Sequence, residues 1–279
     1  MRKGEIKKFV RKRYGIIARE KSSCCGTVST CETTDLHESI SKKIGYTDEE
    51  LNTIPEGANL GLGCGNPVAL ASLKEGETVL DLGSGAGIDC FLAADMVGKS
   101  GKIIGVDMTP EMIEKARENV RKSNYDNVEF RLGEIENLPV ADNSVDALIS
   151  NCVINLSPDK KRVFQEALRA LKPGGRLMVS DIVLLKEMPD FIRNSIEAYT
   201  GCISGAAMKD EYIDTIRMAG FQDVRIIDET PFHIECMAND PTVKTIIEKF
   251  KVSPEKLKEA ASSVVSIKVY GVKPDEKGS

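Results

Sequence analysis

The chain has no tryptophan, and aromatic residues make up only 5% of its 279 positions. Proteins that grip a planar base stack it on aromatic side chains, so that class of substrate lacks its usual equipment here. Only two histidines occur, His37 and His233, and the eight cysteines include no C-x-x-C pair. Tetrahedral zinc sites draw on such spacings, so no zinc is expected. No apolar run approaches the roughly 18 residues of a membrane span. The first ten residues, Met1 to Val10, are charged throughout and lack the apolar stretch of a secretion signal. A cytoplasmic protein without a membrane partner is expected. In a reducing compartment, eight cysteines are metal-binding, redox-active or buried rather than a disulfide framework.

A strongly basic balance is also missing: the net charge is −5. Positive charge does gather in the first 21 residues, where Lys and Arg alternate with Phe9, Val10, Tyr14, Ile16 and Ile17. That stretch reads as an RNA-contacting arm or as an amphipathic helix docked on the core. The acidic whole favours the helix, and no nucleic-acid partner is expected. The 41% hydrophobic content is ample for a core. The length fits one large domain with additions, expected to be a monomer.

Three regions are expected. Residues 1–73 form an N-terminal extension, with a charged helix at about 3–18 and a mobile Cys-rich loop over Ser22–Cys31. A short helix at Asp48–Thr53 follows, begun by a Thr47/Glu50 capping box, and then a Gly-rich segment around Cys64. Residues 74–185 alternate strands (Thr78–Leu82, Lys102–Asp107, Val128–Leu132, Val145–Ser150, Gly175–Leu184) with helices at about 87–97, 110–123 and 158–171. Such alternation implies a parallel sheet. Thr109-Pro110 starts a helix, and Pro173-Gly174-Gly175 stops one. Residues 186–279 lose the alternation. A helix at 209–219, a strand at 222–229, a mixed helical insert at 241–262 and a final strand at Val264–Val272 are expected there, with a frayed tail.

The strand Val79–Leu82 runs into Gly83-Ser84-Gly85-Ala86-Gly87 and then a helix. Glycines let such a turn fold tightly and approach a ligand. A second strand ends in Asp107, whose carboxylate can accept both hydroxyl hydrogens of a ribose. The dinucleotide fingerprint G-x-G-x-x-G is not met, because its third position is Ile88 and Gly87 comes one residue early. G-x-G-x-G preceded by an acid, Asp81, resembles the S-adenosylmethionine site of Rossmann-like methyltransferases. Gly133-Glu134-Ile135-Glu136 matches where that family holds adenine, and Pro173-Gly174-Gly175 its usual turn. The fold implied is α/β, a mostly parallel sheet with the last strand antiparallel.

Ser150-Asn151-Cys152-Val153 stands at the end of the fourth strand, where the winding reverses and ligands sit in doubly wound sheets. Base N-methyltransferases carry an acid or Asn, then Pro-Pro and an aromatic residue at that place; this chain has neither Pro nor aromatic there. Cys64 and Cys202 lie in similar Gly-rich contexts. Cys90 falls on a core helix and reads as packing. Cys236 reads more readily as structural, while Cys24, Cys25 and Cys31 stay open between a redox relay and an unimportant loop. Thiolates select soft centres. Three of them without histidine suit a trigonal pyramidal ligand such as trivalent arsenic, whose lone pair would face the methyl of a sulfonium in line.

The segments Ala58–Pro67, Val106-Asp107-Met108-Thr109, Ser150–Leu156 and Gly201–Ala206 resemble those of arsenite S-adenosylmethionine methyltransferases, over about residues 46–230. The resemblance implies As(III) binding by Cys152 and Cys202, with Cys64 as third ligand. It implies a disulfide between Cys64 and an N-terminal cysteine, Cys25 or Cys24, reset by thioredoxin or a small thiol. The cofactor residues it implies are Asp81, Gly83, Ser84, Gly85, Gly87, Asp107, Met108, Glu134, Ile135 and Asn151. As(III) would arrive as a thiol conjugate and leave methylated, with S-adenosylhomocysteine as co-product. The competing readings are a methyltransferase for another small molecule and a non-catalytic metalloid sensor or buffer.

Overall fold

The apolar runs assemble into a single seven-stranded sheet in the computed structural model, which describes residues 3–19, 31–188, 205–231 and 262–275. Five strands are parallel: β1 (Thr78–Leu82), β2 (Lys102–Asp107), β3 (Val128–Leu132), β4 (Val145–Asn151) and β5 (Leu171–Leu184). β7 (Val264–Val272) runs antiparallel between β5 and β6 (Gln222–Pro231), giving the order β3-β2-β1-β4-β5-β7-β6. β1 has β2 on one side and β4 on the other. The winding reverses there, and the carboxyl ends of β1 and β4 open a crevice.

Residues of β1 and β4 are buried on both faces, which is why these strands read as continuous apolar runs rather than alternating ones. Leu80, Leu82 and Leu148 join one core cluster with Phe164 and Tyr212. Val79, Ala147 and Ile149 join the other with Phe91 and Phe130. The alternation follows from the two-residue period of a strand. A third, smaller cluster caps the site end and contains Cys64, Cys152, Val10 and Ile182.

Seven α-helices surround this sheet among the described residues: α1 (Lys3–Arg19), α2 (Cys31–Lys43), α3 (Asp48–Thr53), α4 (Ile88–Val97), α5 (Pro110–Arg121), α6 (Lys160–Ala170) and α7 (Lys209–Met218). The Thr47/Glu50 capping box forms as its spacing predicts. α4 is buried almost all round, and Cys90 lies within it fully buried. The charged N-terminal stretch is the docked helix α1. It buries Val10, and its cations pair with core carboxylates: Lys3 with Asp159 at 2.7 Å, Lys7 with Glu134 at 2.8 Å and Glu136 at 3.0 Å, and Arg19 with Glu111. No described helix is long and apolar enough to cross a membrane.

Two features differ from the pattern-based reading. β5 begins at Leu171, so Pro173-Gly174-Gly175 lies inside the strand's span rather than before it. Leu171 pairs with Val145 and Arg176 with Ala147, and the register shift between them absorbs the turn residues. Helix α2 was not legible, because Cys31–Lys43 is mostly polar and carries few apolar residues at helical spacing. The loop preceding Cys31, Cys236 and nearly all of the expected 241–262 insert lie outside the described residues.

Gly87 caps α4 at φ +103°, and a Cβ there would stand 2.7 Å from Phe130 Cζ and 2.9 Å from Phe91 Cε2. Both contacts are tighter than packing tolerates. Gly87→Ala is expected to cost on the order of 2–4 kcal/mol from left-handed strain plus overpacking. The measurement is the urea midpoint at unchanged m-value; a midpoint equal to the parent's contradicts the assignment.

Candidate active site

The cofactor end is built by backbone. Gly83 and Ser84 both donate their N–H to Val106 O, at 2.7 and 3.1 Å, folding the turn onto β2. Gly83 sits at φ +69°, and a Cβ there would meet Val153 Cγ2 at 2.1 Å. Asp107, at the end of β2, accepts Gly85 N–H on Oδ2 at 3.1 Å and Thr109 N–H on Oδ1 at 2.8 Å. Burial pushes this carboxyl up from its ordinary value, and those two hydrogen bonds oppose the shift. A carboxylate has about four acceptor positions, so room remains for ribose hydroxyls.

A cavity runs from this turn to the end of β4. Gly83, Ser84, Gly85, Asp107, Met108 and Ile135 line it, and Asn151 and Cys152 close its far end. Ser84 Oγ is buried without a hydrogen-bond partner among the described residues. An unpaired buried hydroxyl in a cavity wall is what a polar ligand would satisfy. The orphaned hydroxyl, the glycine turn and the acid at the end of β2 together fit S-adenosylmethionine.

Three of the expected cofactor residues are placed otherwise. Asp81 is 2% exposed and lies behind the turn, where it accepts the Cys90 S–H at 3.2 Å. Burial, with Asp89 nearby, raises its pKa far above the ordinary value. Gly87 packs on the two phenylalanines rather than lining the cavity. Glu134 turns to Lys7 and Arg11 of α1, and the Lys7 hydrogen bond lowers its pKa; Glu136 takes the place on the cavity wall. The sequence reading also missed that α1 itself contributes to the wall, through Lys7, Arg13 and Tyr14. Its alternating basic and apolar residues announced a docked helix, but not where it docks.

The thiol end depends on Asn151. Its Oδ1 accepts the Cys64 N–H at 3.0 Å, and its Nδ2 donates to Gly65 O at 2.7 Å. One side chain at the tip of β4 therefore pins both sides of the Cys64 loop. The loop's glycines permit the approach: a Cβ at Gly63 would meet Asn151 Nδ2 at 2.8 Å, and one at Gly65 would meet Ser180 Oγ at 2.0 Å. Ser266 Oγ on β7 completes the seat by donating to Cys64 O at 2.7 Å. Asn151 Nδ2 also meets Asp89 at 3.2 Å and Tyr46 Oη at 2.9 Å, and Tyr46 donates to Asp89 at 2.6 Å. Asn151, expected among the cofactor residues, touches the cavity but spends its amide on positioning Cys64.

Cys152 leaves β4 in the left-handed region at φ +56°, with its N–H on Ser180 O at 2.8 Å. Such a conformation costs a non-glycine residue about 1–2 kcal/mol. It is held by the cap of side chains around it, and Cys152 is only 9% exposed. Asp181 on β5 follows Ser180 and is fully buried. The Cys64 and Cys152 sulfurs and one Asp181 oxygen all lie within 4.8 Å of one another. Cys202, Cys24 and Cys25 lie outside the described residues, and Cys31 opens α2.

Asn151→Ala is expected to free the Cys64 loop. Affinity for a trivalent arsenical that bridges two thiols should fall on the order of 10-fold or more, with S-adenosylmethionine affinity nearly kept. Calorimetric titration of both ligands checks this; equal losses would show that Asn151 serves the cofactor instead. A second expectation concerns Asp89, whose pKa burial raises from 3.8 to about 6. Between those values the folded state holds a proton that the unfolded state has lost. Stability is therefore greatest at the acid end of this window and declines as pH rises through it. Asp89→Asn should flatten that decline by up to about 1.4 kcal/mol per pH unit. Denaturant melts at pH 4, 5 and 6 read the slope, and an unchanged slope rules Asp89 out as its source.

The chain is similar to known proteins in sequence and in fold. A family profile described as "Methyltransferase domain" matches residues 73–220. The arsenite methyltransferase of Halobacterium salinarum is 51% identical over 229 residues, covering 80% of this chain and 59% of that protein. The human arsenite methyltransferase is 35% identical over 238 residues, covering 81% and 61%. The chain thus spans about 60% of the length of these curated relatives. Among solved structures, an arsenic(III) S-adenosylmethionine methyltransferase of Chlamydomonas reinhardtii aligns with a TM-score of 0.62 and 30% identity, over 87% of this chain and 74% of that one. The chain belongs to the S-adenosylmethionine-dependent methyltransferases of Rossmann-like fold and, within them, to the arsenic(III) methyltransferase family.

Proposed function

We propose that the protein transfers a methyl group from S-adenosylmethionine to thiol-bound As(III), giving a methylated arsenical and S-adenosylhomocysteine. The observation that carries this reading is that Cys152 stands at the far end of a cavity whose near end is the Gly83–Gly85 turn and Asp107, with the buried Cys64 sulfur within 4.8 Å of its own. In this reading residues 1–73 bring Cys64 and its redox partner, 74–185 hold the cofactor, and 186–279 complete the sheet and carry Cys202.

S-adenosylmethionine supplies an electrophilic methyl group on its sulfonium. The chain's own residues align and enclose. The Gly83–Gly85 backbone would leave space for close approach, Asp107 would accept hydrogen bonds from the ribose hydroxyls, and Ile135 with Met108 would hold the adenine. Ser84 Oγ gains a polar partner. Lys7 and Tyr14 of α1 roof the cavity and limit water. As(III) arrives as a thiol conjugate and exchanges onto Cys64, Cys152 and Cys202, releasing the carrier thiols. Three sulfurs leave the arsenic lone pair free, and the placement of Cys152 at the cavity end turns it towards the methyl group.

Forming the arsenic–carbon bond uses that lone pair and raises arsenic from +3 to +5. A disulfide between Cys64 and Cys25 or Cys24 returns the two electrons, and thioredoxin or a small thiol reduces the disulfide. A reducing cytoplasm supplies such thiols. In this reading the working unit is a monomer, without a nucleic-acid or membrane partner.

Cys152→Ser is expected to lower As(III) methylation on the order of 100-fold or more, because the arsenic lone pair loses its alignment. S-adenosylmethionine should still bind. Product speciation after incubation with As(III), S-adenosylmethionine and thiol reads the outcome; parent-like turnover by this variant would sink the proposal.

A further inference from the structure

The end of the sheet that carries the two thiols also carries an acid that the methyl transfer does not use. Asp181 is fully buried on β5. Its Oδ1 accepts Asn155 Nδ2 at 2.7 Å and Ile182 N–H at 2.9 Å, and its Oδ2 accepts the Tyr212 hydroxyl at 3.0 Å. All three donors are neutral. They fill three of about four acceptor positions of a carboxylate. Neutral dipoles offset only part of the cost of burying an anion, and the Lys160 charge opposes that cost without cancelling it. Burial accordingly raises the Asp181 pKa, to about 6.

The Cys64 sulfur, the Cys152 sulfur and an Asp181 oxygen lie within 4.8 Å of one another. Donors on a triangle of that edge stand about 2.8 Å from its centre, and a closing movement of about half an ångström reaches the 2.0–2.3 Å bonds of a small thiophilic dication. The donor chemistry differs from that of the arsenic site. As(III) is best served by three sulfurs, whereas two thiolates and one hard carboxylate suit a divalent ion of borderline or soft character. Hydrogen bonds already hold these donors in place: the Asn151 amide fixes the Cys64 loop, the Ser180 carbonyl fixes Cys152, and the Tyr212 hydroxyl fixes the carboxylate.

We propose that Cys64, Cys152 and Asp181 form a binding site for a thiophilic divalent cation, and that its occupancy excludes As(III). Binding converts two thiols to thiolates, and the two protons leave to solvent as two metal–sulfur bonds and one metal–oxygen bond form. The site shares two cysteines with the proposed arsenic ligands but requires no methyl transfer, so its test reads cation binding alone.

The test is titration of the whole chain with Cd²⁺ in thiol-free buffer, followed by the ultraviolet thiolate-to-cadmium charge-transfer band and by equilibrium dialysis. The Cys152→Ser variant defines the background from the other cysteines. One Cd²⁺ above that background is expected in the parent. Asp181→Asn should weaken it about 10- to 100-fold. The ¹¹³Cd chemical shift of the parent needs no variant and should report two sulfurs, not three. S-adenosylmethionine binding by Asp181→Asn checks that this variant is folded. A three-sulfur shift, or an unchanged affinity in folded Asp181→Asn, would each overturn the proposal. Absent arsenic methylation in the parent would leave the cadmium result untouched and count only against the proposed reaction.

Discussion

The amide of Asn151 is the contact on which the candidate site depends. It stands at the last residue of β4 and holds the backbone on both sides of Cys64, 87 positions earlier in the chain. Ser266 holds the same loop through Cys64 O, and the small third core cluster packs the cysteine. The amide is itself held by Tyr46 and Asp89, so the N-terminal extension, α4 and β4 meet in one buried polar network. Such networks are stabilising when every member is paired, and costly otherwise. Here the pairing serves geometry, because it brings a cysteine from outside the sheet beside one at its edge.

The cofactor end and the thiol end are held differently. The first is a matter of backbone: glycines at positive φ, N–H groups turned onto Val106, and a carboxylate that braces the turn. The second is largely a matter of side chains: Asn151 and Ser266 hold the Cys64 backbone, Ser180 meets its sulfur, and Tyr212 holds Asp181. Burial raises the pKa of Asp89 and Asp181 because both carboxyls lie away from water among neutral donors. Helix α1 touches both ends: Lys7 binds Glu134 and Glu136 while lining the cavity, and Val10 packs in the cluster that holds Cys64 and Cys152. A helix tethered by partly exposed ion pairs is held more weakly than one tethered by apolar area, and this one borders the cofactor.

Much of the architecture was legible in the sequence because it rests on local rules. Apolar runs bounded by turn residues marked β1 to β4 closely, and the final strand at Val264–Val272 matched to the residue. The Thr47 capping box depends on contacts within one turn of helix and Pro110 on its own fixed φ, so spacing alone reveals both starts, although Thr109 makes no side-chain cap bond. The site was legible in part. Gly83, Ser84, Gly85, Asp107, Met108, Ile135, Asn151 and Cys152 do line one cavity, and Cys64 does come to Cys152. Asp81 and Glu134 were expected at the cofactor but are turned to Cys90 and to Lys7. A carboxylate's partner depends on which element packs over it, and a motif does not record that.

The sequence by itself therefore determined the strand–helix alternation, the glycine turn and the residues at the strand ends. Each follows from dihedral preference, period or spacing along the chain. Only the tertiary structure decided that Asn151 would clamp Cys64, that α1 would roof the cavity, and that Asp181 would stand beside the two thiols. Asp181 drew no notice in the sequence because it sits in an ordinary strand, Met178-Val179-Ser180-Asp181-Ile182, with no motif around it. Its neighbours come from positions 64, 152 and 212, and their meeting is a consequence of strand order and loop docking, which act across the chain rather than along it.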